Sequence, residues 1–156
     1  MVHAFIVYVG PMLEYNSVIL SRTHLKCDIE RTEKVQRQFT KWLYGFKHSS
    51  YKERLTKLGI PSLELRRLYL DLTHCYKIVF GLVTLNMSDF FEFSQFTGTR
   101  GHAYKLHKVT ACSVRMNFFA NWVINAWNNI PTSISFTSLS AFRRTIRSVG
   151  FNIFKM

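Results

Sequence analysis

Hydrophobic residues recur every three to four positions along much of the chain, which predicts helices rather than strands. The first helical stretch covers residues 2–20, with a break predicted at Gly10-Pro11 because proline interrupts helix interiors. Residues 2–13 are apolar apart from His3. This run is shorter than the roughly 20 residues that cross a bilayer, and it lacks the basic residues that open a signal peptide. We therefore expect a helix that packs against the rest of an intracellular protein, nuclear or cytoplasmic and not secreted.

The clearest helix is predicted for residues 25–44, with Gly45 just beyond its end, where glycine commonly terminates helices. At about 100° per residue, apolar and basic residues fall on opposite sides of this helix. The apolar side, expected to face the core, comprises Ile29, Thr32, Val35, Phe39, Trp42 and Leu43. The basic side comprises Lys26, Arg31, Lys34, Arg37 and Lys41. It is suited either to follow a phosphate backbone or to be an ordinary solvated face with Glu30–Lys34 and Glu33–Arg37 pairs.

Two further helices are predicted in the first half. Ser50 and Glu53 have the spacing of a capping box, which predicts a short helix ending near Leu58. After a turn at 59–62, Ser62 is placed to cap a helix over 63–80. Its predicted core residues are Leu65, Leu68, Tyr69, Leu72, Cys75, Tyr76 and Val79. Arg66 and Arg67 lie near its start, where the helix dipole disfavours cations, so we expect them to meet a carboxylate, a phosphate or a packed neighbour.

The second half predicts helices over 114–128 and 138–149, the latter capped by Ser138, and a basic stretch over 94–110 with short extended segments. The predicted fold class is therefore all-α, a bundle of about six helices with a loop-rich, partly extended stretch near 94–112. We expect two helical regions, 1–83 and 84–156, which are either separate lobes or one continuous domain.

Composition adds a strong charge imbalance to this picture. Apolar residues make up 47% and charged residues 19% of the chain, as in globular proteins. Lys and Arg total 21 against 9 Asp and Glu, a net charge of +12. Such a chain favours polyanionic partners (nucleic acid, an acidic membrane surface or an acidic protein) unless the charge serves only solubility. The candidate nucleic-acid-binding residues are Lys26, Arg31, Lys34, Arg37, Lys41, Arg66, Arg67, Arg100 and Lys105.

Catalytic and metal-binding patterns are missing from the sequence. Cys27, Cys75 and Cys112 are far apart and lack zinc-site spacing, which fits reduced thiols. Two-metal polymerase chemistry needs clustered carboxylates, whereas Asp28, Asp71 and Asp89 are isolated from one another in sequence. We therefore predict no catalytic residue, no metal ligand and no cofactor in this chain.

A series of short motifs runs through the sequence in a fixed order. These are PMLEYNS at 11–17, EKVQRQFTKWLY at 33–44, SYKERL at 50–55, LGIPSLE at 58–64, Arg66-Arg67 with Asp71-Leu72, YKI at 76–78 with Gly81, TRGH at 99–102, NFF at 117–119, and Trp127-Asn128 with Pro131. Together they resemble the region that follows the palm domain in non-LTR retrotransposon reverse transcriptases, close to the jockey-like elements. Gly10, Leu20 and Trp122 depart from that pattern, since Arg, Trp and Arg are usual there.

The resemblance implies the thumb and the region beyond it, which hold the template–primer duplex against the palm. It implies that the aspartates that hold Mg²⁺ in the parent RNA-directed DNA polymerase lie upstream. The chain is then expected to be a non-catalytic piece that binds RNA or an RNA–DNA duplex with little sequence preference, and to contact the palm but no membrane. Two alternatives are a decayed transposon fragment without function and an interaction protein that uses Val2, Phe5, Ile6 and Val9 as an exposed apolar face.

Overall fold

In a computed structural model, the chain forms helices joined by turns. The structure describes residues 1–15, 26–95, 101–108 and 119–148, with the side chains of residues 26–28 excepted. Helix α1 consists of three consecutive pieces, Val2–Ala4, Phe5–Val9 and Gly10–Glu14; the others are α2 Lys26–Trp42, α3 Tyr51–Leu58, α4 Leu63–Val79, α5 Phe119–Asn128 and α6 Leu139–Ser148. A 3₁₀ turn covers Met87–Asp89. Six helices among the described residues confirm the predicted all-α class and the expected bundle of about six helices.

The chain forms two compact units, residues 1–68 and 69–156, so the boundary lies within α4. The sequence-based division was placed at residues 83 and 84. In the part of 94–112 that the structure describes, the chain is irregular, and Phe93 and Leu106 form an antiparallel bridge. This agrees with the expected loop-rich, partly extended stretch.

Pro11 does not break α1, so the predicted break was wrong. The piece before it, Phe5–Val9, is π-helical, and the Gly10 N–H donates to the Phe5 carbonyl, one residue farther back than in an α-helix. A proline ring collides with the carbonyl four residues earlier in a regular helix, and the wider turn relieves that collision. Tyr15 has an extended backbone, with ψ 131°, and α1 ends at Glu14. The predicted continuation over 16–20 lies outside the described residues.

The buried side of α1 is the one we expected to be exposed. Phe5 is buried, and its ring stacks on that of Phe39 in α2 with 4.1 Å between centroids. Val2, Ile6 and Val9, the other members of the predicted exposed face, are half-buried. The large apolar side chains that α1 exposes are instead Val7, Tyr8 and Met12, followed by Tyr15 just beyond its end. The predicted apolar face is corrected accordingly.

Helix α2 buries polar residues where apolar ones were expected. Gln36 and Thr40 are fully buried, whereas Val35 and Trp42, assigned to the core face, are exposed. Gln36 Nε2 donates to the Pro61 carbonyl at 2.9 Å and Thr40 Oγ1 donates to the Gln36 carbonyl at 2.9 Å, which compensates these two buried groups. The buried Gln36 Oε1 has no hydrogen-bond partner among the described residues. The helix is therefore rotated about its axis relative to the expected orientation, which turns Trp42 towards solvent.

A polar network, consisting of Glu33, Thr40, Tyr51 and Arg54, joins α2 to α3 and to the start of α4. One of the two interpretations of the basic side paired Glu33 with Arg37. The Glu33 carboxylate accepts hydrogen bonds from the Tyr51 hydroxyl and, at 3.1 Å, from the Leu63 N–H. Because Leu63 is the first residue of α4, this carboxylate also satisfies an amide at a helix N-terminus. Desolvation by burial, followed by the bond to Glu33, raises the pKa of Tyr51 above its ordinary range.

Arg54 is the buried cation of this network. Its Nε donates to Thr40 Oγ1 at 3.2 Å and its Nη1 to the Ser49 carbonyl at 2.6 Å. Its guanidinium carbon lies over the Tyr51 ring, 5.6 Å from the ring centroid, which is within the range of a cation–π contact. The side chain thereby crosses from α3 to α2. A buried guanidinium is tolerated only because oxygen atoms and an aromatic face surround it.

The predicted helix caps are present. Ser50 Oγ accepts from the Glu53 N–H at 3.3 Å while Glu53 Oε2 accepts from the Ser50 N–H at 3.2 Å, which completes the capping box of α3. Ser62 caps α4 through the Leu65 N–H, and Ser138 caps α6 through the Ala141 N–H. These local signals placed the starts of the three helices correctly.

In the second unit, aromatic side chains form the core. The Phe136 ring lies 5.6 Å from that of Trp127 and 5.4 Å from that of Phe142, and the Tyr76 ring stacks 4.7 Å from Phe142. Trp127 and Phe142 are fully buried. Asn128 adds a two-sided contact with Leu106, accepting from its N–H at 2.9 Å and donating to its carbonyl at 2.8 Å. This contact holds the end of α5 to the strand-like segment around Leu106.

We expect Arg54→Met to destabilise the protein by about 2–4 kcal/mol, because the Ser49 carbonyl and the Thr40 hydroxyl lose their buried donor. Urea unfolding followed by circular dichroism measures the free energy of unfolding. Lys57→Met on the same helix is the matched control and should change stability by less than about 0.5 kcal/mol, since Lys57 is exposed. Equal effects of the two substitutions would contradict a structural role for Arg54.

Candidate nucleic-acid interface

The solvent face of α2 carries four of the candidate basic residues, Arg31, Lys34, Arg37 and Lys41, all exposed. Arg37 lies at the edge of this face, with its guanidinium 5.0 Å from the centroid of the Tyr51 ring. Lys34 and Lys41 are seven positions, or two helical turns, apart and therefore project from the same side, about 10 Å apart along the axis. These four members of the predicted basic side of α2 are therefore surface residues.

Arg66 and Arg67 are engaged within the first unit. Arg66 forms an ion pair with the Glu14 carboxylate, and its Nη2 donates to Glu14 Oε2 at 3.2 Å. Arg67 Nη2 donates to the Leu13 carbonyl at 3.2 Å. Both arginines thus meet the C-terminal end of α1, where helix carbonyls are unsatisfied and the dipole is negative. The carboxylate and the packed neighbour expected for these arginines are found in this chain.

The close approach of Arg66 to α1 depends on Gly10. A Cβ added at Gly10 would lie 3.2 Å from Arg66 Nη1, tighter than an ordinary contact. Desolvation by burial raises the pKa of Glu14, although the Arg66 guanidinium opposes that rise. Arg66 therefore serves first to compensate a half-buried carboxylate.

Of the three remaining candidates, Lys105 is the one whose side chain the structure describes. Lys105 belongs to the second unit and is half-buried. Its side chain lies against Gly101, where φ is +125° and an added Cβ would come within 2.9 Å of Lys105 Cε. Arg100 and the side chain of Lys26 lie outside the described residues.

Three arginines of α6 were not counted among the candidates. Arg143, Arg144 and Arg147 are exposed. Arg144 and Arg147 lie on the side of the helix away from the buried Phe142 and Ile146, and Arg143 lies at the edge of that side. The signal was available in the sequence, since buried residues four apart with arginines between them describe an amphipathic helix with a basic face. α6 thus gives the second unit a basic helical surface of its own.

The aromatic residues among the basic ones separate into two kinds. Trp42 and Tyr44 are almost fully exposed, at 83% and 102% of the reference area. Tyr51 is instead packed between α2 and α3 by its contacts with Glu33 and Arg54. Only an exposed ring can offer its face to a nucleotide base.

His102 and Trp127, which belong to two of the motifs behind the resemblance, contact each other in the second unit. His102 Nε2 donates to the Trp127 carbonyl at 2.8 Å, and His102 Nδ1 accepts from the Tyr104 N–H at 3.2 Å. These partners fix the neutral imidazole with its proton on Nε2, since the carbonyl can only accept and the amide can only donate. Desolvation by burial lowers the pKa of His102, in agreement with this neutral form. The His102 side chain therefore has a structural role in the core of the second unit.

The described residues include no group of three or more His, Cys, Asp and Glu side chains arranged to hold a metal ion. Within the same residues, no helix has the length and apolar character needed to cross a membrane. Cys75 is a buried thiol, and desolvation by burial raises its pKa well above the ordinary value. In comparisons with known proteins, no family model, curated protein or solved structure matches this chain.

The neutral state of His102 predicts a dependence of stability on pH. The pKa of His102 is lowered from 6.5 in the folded chain, so the contribution of the neutral imidazole to the free energy of unfolding is complete above pH 6.5. As the pH falls below that value, the unfolded chain takes up a proton first, and the contribution declines by at most about 1.4 kcal/mol per pH unit until the folded pKa is reached. Urea unfolding at a series of pH values should show this decline, and His102→Gln should make it shallower.

His48 supplies the control because it is exposed. His48→Gln should leave the pH dependence of the unfolding free energy as it is in the native sequence. An unchanged profile in His102→Gln would refute the assignment of the buried neutral imidazole.

Proposed function

We propose that this chain is a non-catalytic nucleic-acid-binding module of the kind that follows the palm in non-LTR retrotransposon reverse transcriptases, and that it binds RNA or an RNA–DNA duplex through the solvent face of α2. The observation that carries the proposal is the placement of Lys34 and Lys41, with Arg31 and Arg37, on one exposed helix face. The net charge of +12 provides a favourable long-range field for a polyanion. The motif series supports the family on resemblance alone.

The geometry of α2 suits contact with a phosphate backbone rather than readout of bases. Two lysines two turns apart on a rigid helix can each neutralise a separate phosphate. Such contacts position a nucleic acid but carry no sequence information. Binding with little sequence preference is therefore the mode that this face supports.

Arg66 and Arg67 do not take part in this proposal. Their side chains are held by Glu14 and by the Leu13 carbonyl, and withdrawing them would leave the end of α1 unsatisfied. The proposed contact surface in the first unit is accordingly the α2 face alone. In the proposal, the polymerase aspartates and Mg²⁺ belong to the palm of the parent enzyme, and this chain supplies binding.

A second candidate function is protein interaction through α1. Tyr8 and Met12 are 73% and 77% exposed and lie one turn apart on this helix. Exposed apolar side chains aligned along a helix are typical of surfaces that pack against another chain. The partner implied by the resemblance is the palm domain.

The first proposal predicts salt-dependent binding. The affinity for an RNA–DNA duplex should fall steeply with salt, and Lys34→Gln and Lys41→Gln should each reduce the slope of log affinity against log salt concentration by about 0.9. Filter binding over a salt series measures both quantities. Lys57→Gln is the matched control outside α2 and should leave the slope unchanged.

Lack of retained duplex at low salt would refute the proposal, as would binding that salt does not affect. A slope that is reduced equally by the Lys57 control would show that net charge, and not the α2 face, determines binding.

The second candidate predicts association that depends on α1. At increasing concentration the native chain should form oligomers in sedimentation velocity, because the exposed face is self-complementary in its apolar character, and Met12→Glu should abolish them. Val35→Glu, at an exposed position of α2, is the control that should not. A monodisperse monomer at every concentration would count against this candidate.

A further inference from the structure

The aromatic side chains at the end of α2 are exposed, although aromatic residues usually contribute to a core. Trp42 is 83% and Tyr44 102% exposed, whereas Trp127 in the second unit is fully buried. Leaving an indole and a phenol ring in water forgoes the hydrophobic stabilisation that their burial would supply. The exposure of these two rings therefore needs a structural or functional explanation.

The exposure follows from how α2 is held. Gln36 and Thr40 bind the Pro61 carbonyl and the Arg54 side chain, so their side of the helix faces inward. Trp42 lies six positions after Gln36, about 120° away from Gln36 and about 160° from Thr40 around the axis, and so points outward. α2 ends at Trp42, and the chain then turns, with the Phe46 N–H donating to the Leu43 carbonyl and Gly45 at φ +83°. Tyr44 stands on this turn.

The charged residues nearest to these two rings in sequence are cations. Lys41 precedes Trp42, and Lys47 follows Tyr44 within the same turn region; both lysines are exposed. The acidic residue of α2 nearest in sequence, Glu33, is turned inward by its bonds to Tyr51 and Leu63. Aromatic rings for stacking, beside cations for phosphates, are the two elements by which proteins hold single-stranded nucleic acid.

We propose that Trp42 and Tyr44 form a base-stacking site for single-stranded RNA or DNA, with Lys41 and Lys47 contacting the phosphates on either side. This inference rests on the proposed function and specifies the form of nucleic acid that this end of α2 accepts. A duplex keeps its bases stacked on one another and offers only backbone to α2, whereas an unpaired strand exposes base faces that fit the two rings. The site therefore favours the junction between a duplex and its single-stranded extension.

The experiment compares three probes by fluorescence anisotropy: a short oligothymidylate, an abasic strand of the same length with the same phosphates, and a duplex. The native chain should bind the oligothymidylate more tightly than the abasic strand. Trp42→Ala should weaken oligothymidylate binding by about 5- to 150-fold, the range for losing one stacked base, and leave the abasic strand and the duplex unaffected. Trp42→Phe should restore part of the loss, and Tyr44→Ala should act in the same direction as Trp42→Ala.

Matched controls separate stacking from charge and folding. Tyr8→Ala removes another exposed ring of the first unit, on α1, and should leave all three affinities unchanged. Lys34→Gln combined with Lys41→Gln should weaken all three probes together and flatten the salt dependence. Trp42→Ala should retain the native salt dependence.

Each outcome decides between the two proposals. If the native chain binds none of the probes, the proposed function fails. If it binds the duplex but Trp42→Ala combined with Tyr44→Ala binds oligothymidylate as tightly as the native chain, the stacking site is refuted while the proposed function stands. Equal loss for the abasic strand would also refute stacking. A blue shift of tryptophan emission on addition of anionic phospholipid vesicles that Trp42→Ala abolishes, without any preference for bases over the abasic strand, would overturn the proposal in favour of a membrane surface.

Discussion

The buried guanidinium of Arg54 is the constraint on which the first unit depends. It donates hydrogen bonds to the Thr40 hydroxyl and to the Ser49 carbonyl, and its flat face lies against the Tyr51 ring. A cation at this depth is stable only with its hydrogen bonds complete, so the rotation of α2 is fixed by polar geometry rather than by its apolar residues. The outward direction of Lys34, Lys41 and Trp42 is a consequence of that fixed rotation.

The same reasoning divides the basic residues into two sets. Arg54, Arg66 and Arg67 bind oxygen atoms of their own unit and hold helices together. Lys34 and Lys41 have their heads in solvent. Guanidinium groups suit the first task because they donate several hydrogen bonds in a fixed plane, and ammonium groups suit the second because they remain strongly hydrated. The net charge of the chain thus overstates the charge that is open to a polyanion.

The start and end of α3 could be predicted from the sequence, whereas the rotation of α2 about its axis could not. The capping box of Ser50 and Glu53 and the terminating Gly59, at φ +64°, act within a few residues, and the sequence places α3 correctly. Burial of Gln36 depends on the Pro61 carbonyl, 25 residues away, and a helical wheel treats every glutamine as a surface residue. Val35 and Trp42 were placed in the core for that reason.

Several residues in the motifs behind the reverse transcriptase resemblance act inside the molecule. Glu33 caps α4, His102 binds the Trp127 carbonyl, and Asn128 holds Leu106 from both sides. A resemblance carried by such residues concerns how the chain packs, because each contact would be needed by any protein that folds this way.

Function must instead be sought on side chains that packing does not require. In the first unit, Lys34, Lys41, Trp42 and Tyr44 are among these exposed side chains. A chain that retained the packing residues but lost these four would keep its fold and lose the proposed binding. The binding of nucleic acid by the α2 face is therefore a question separate from the fold.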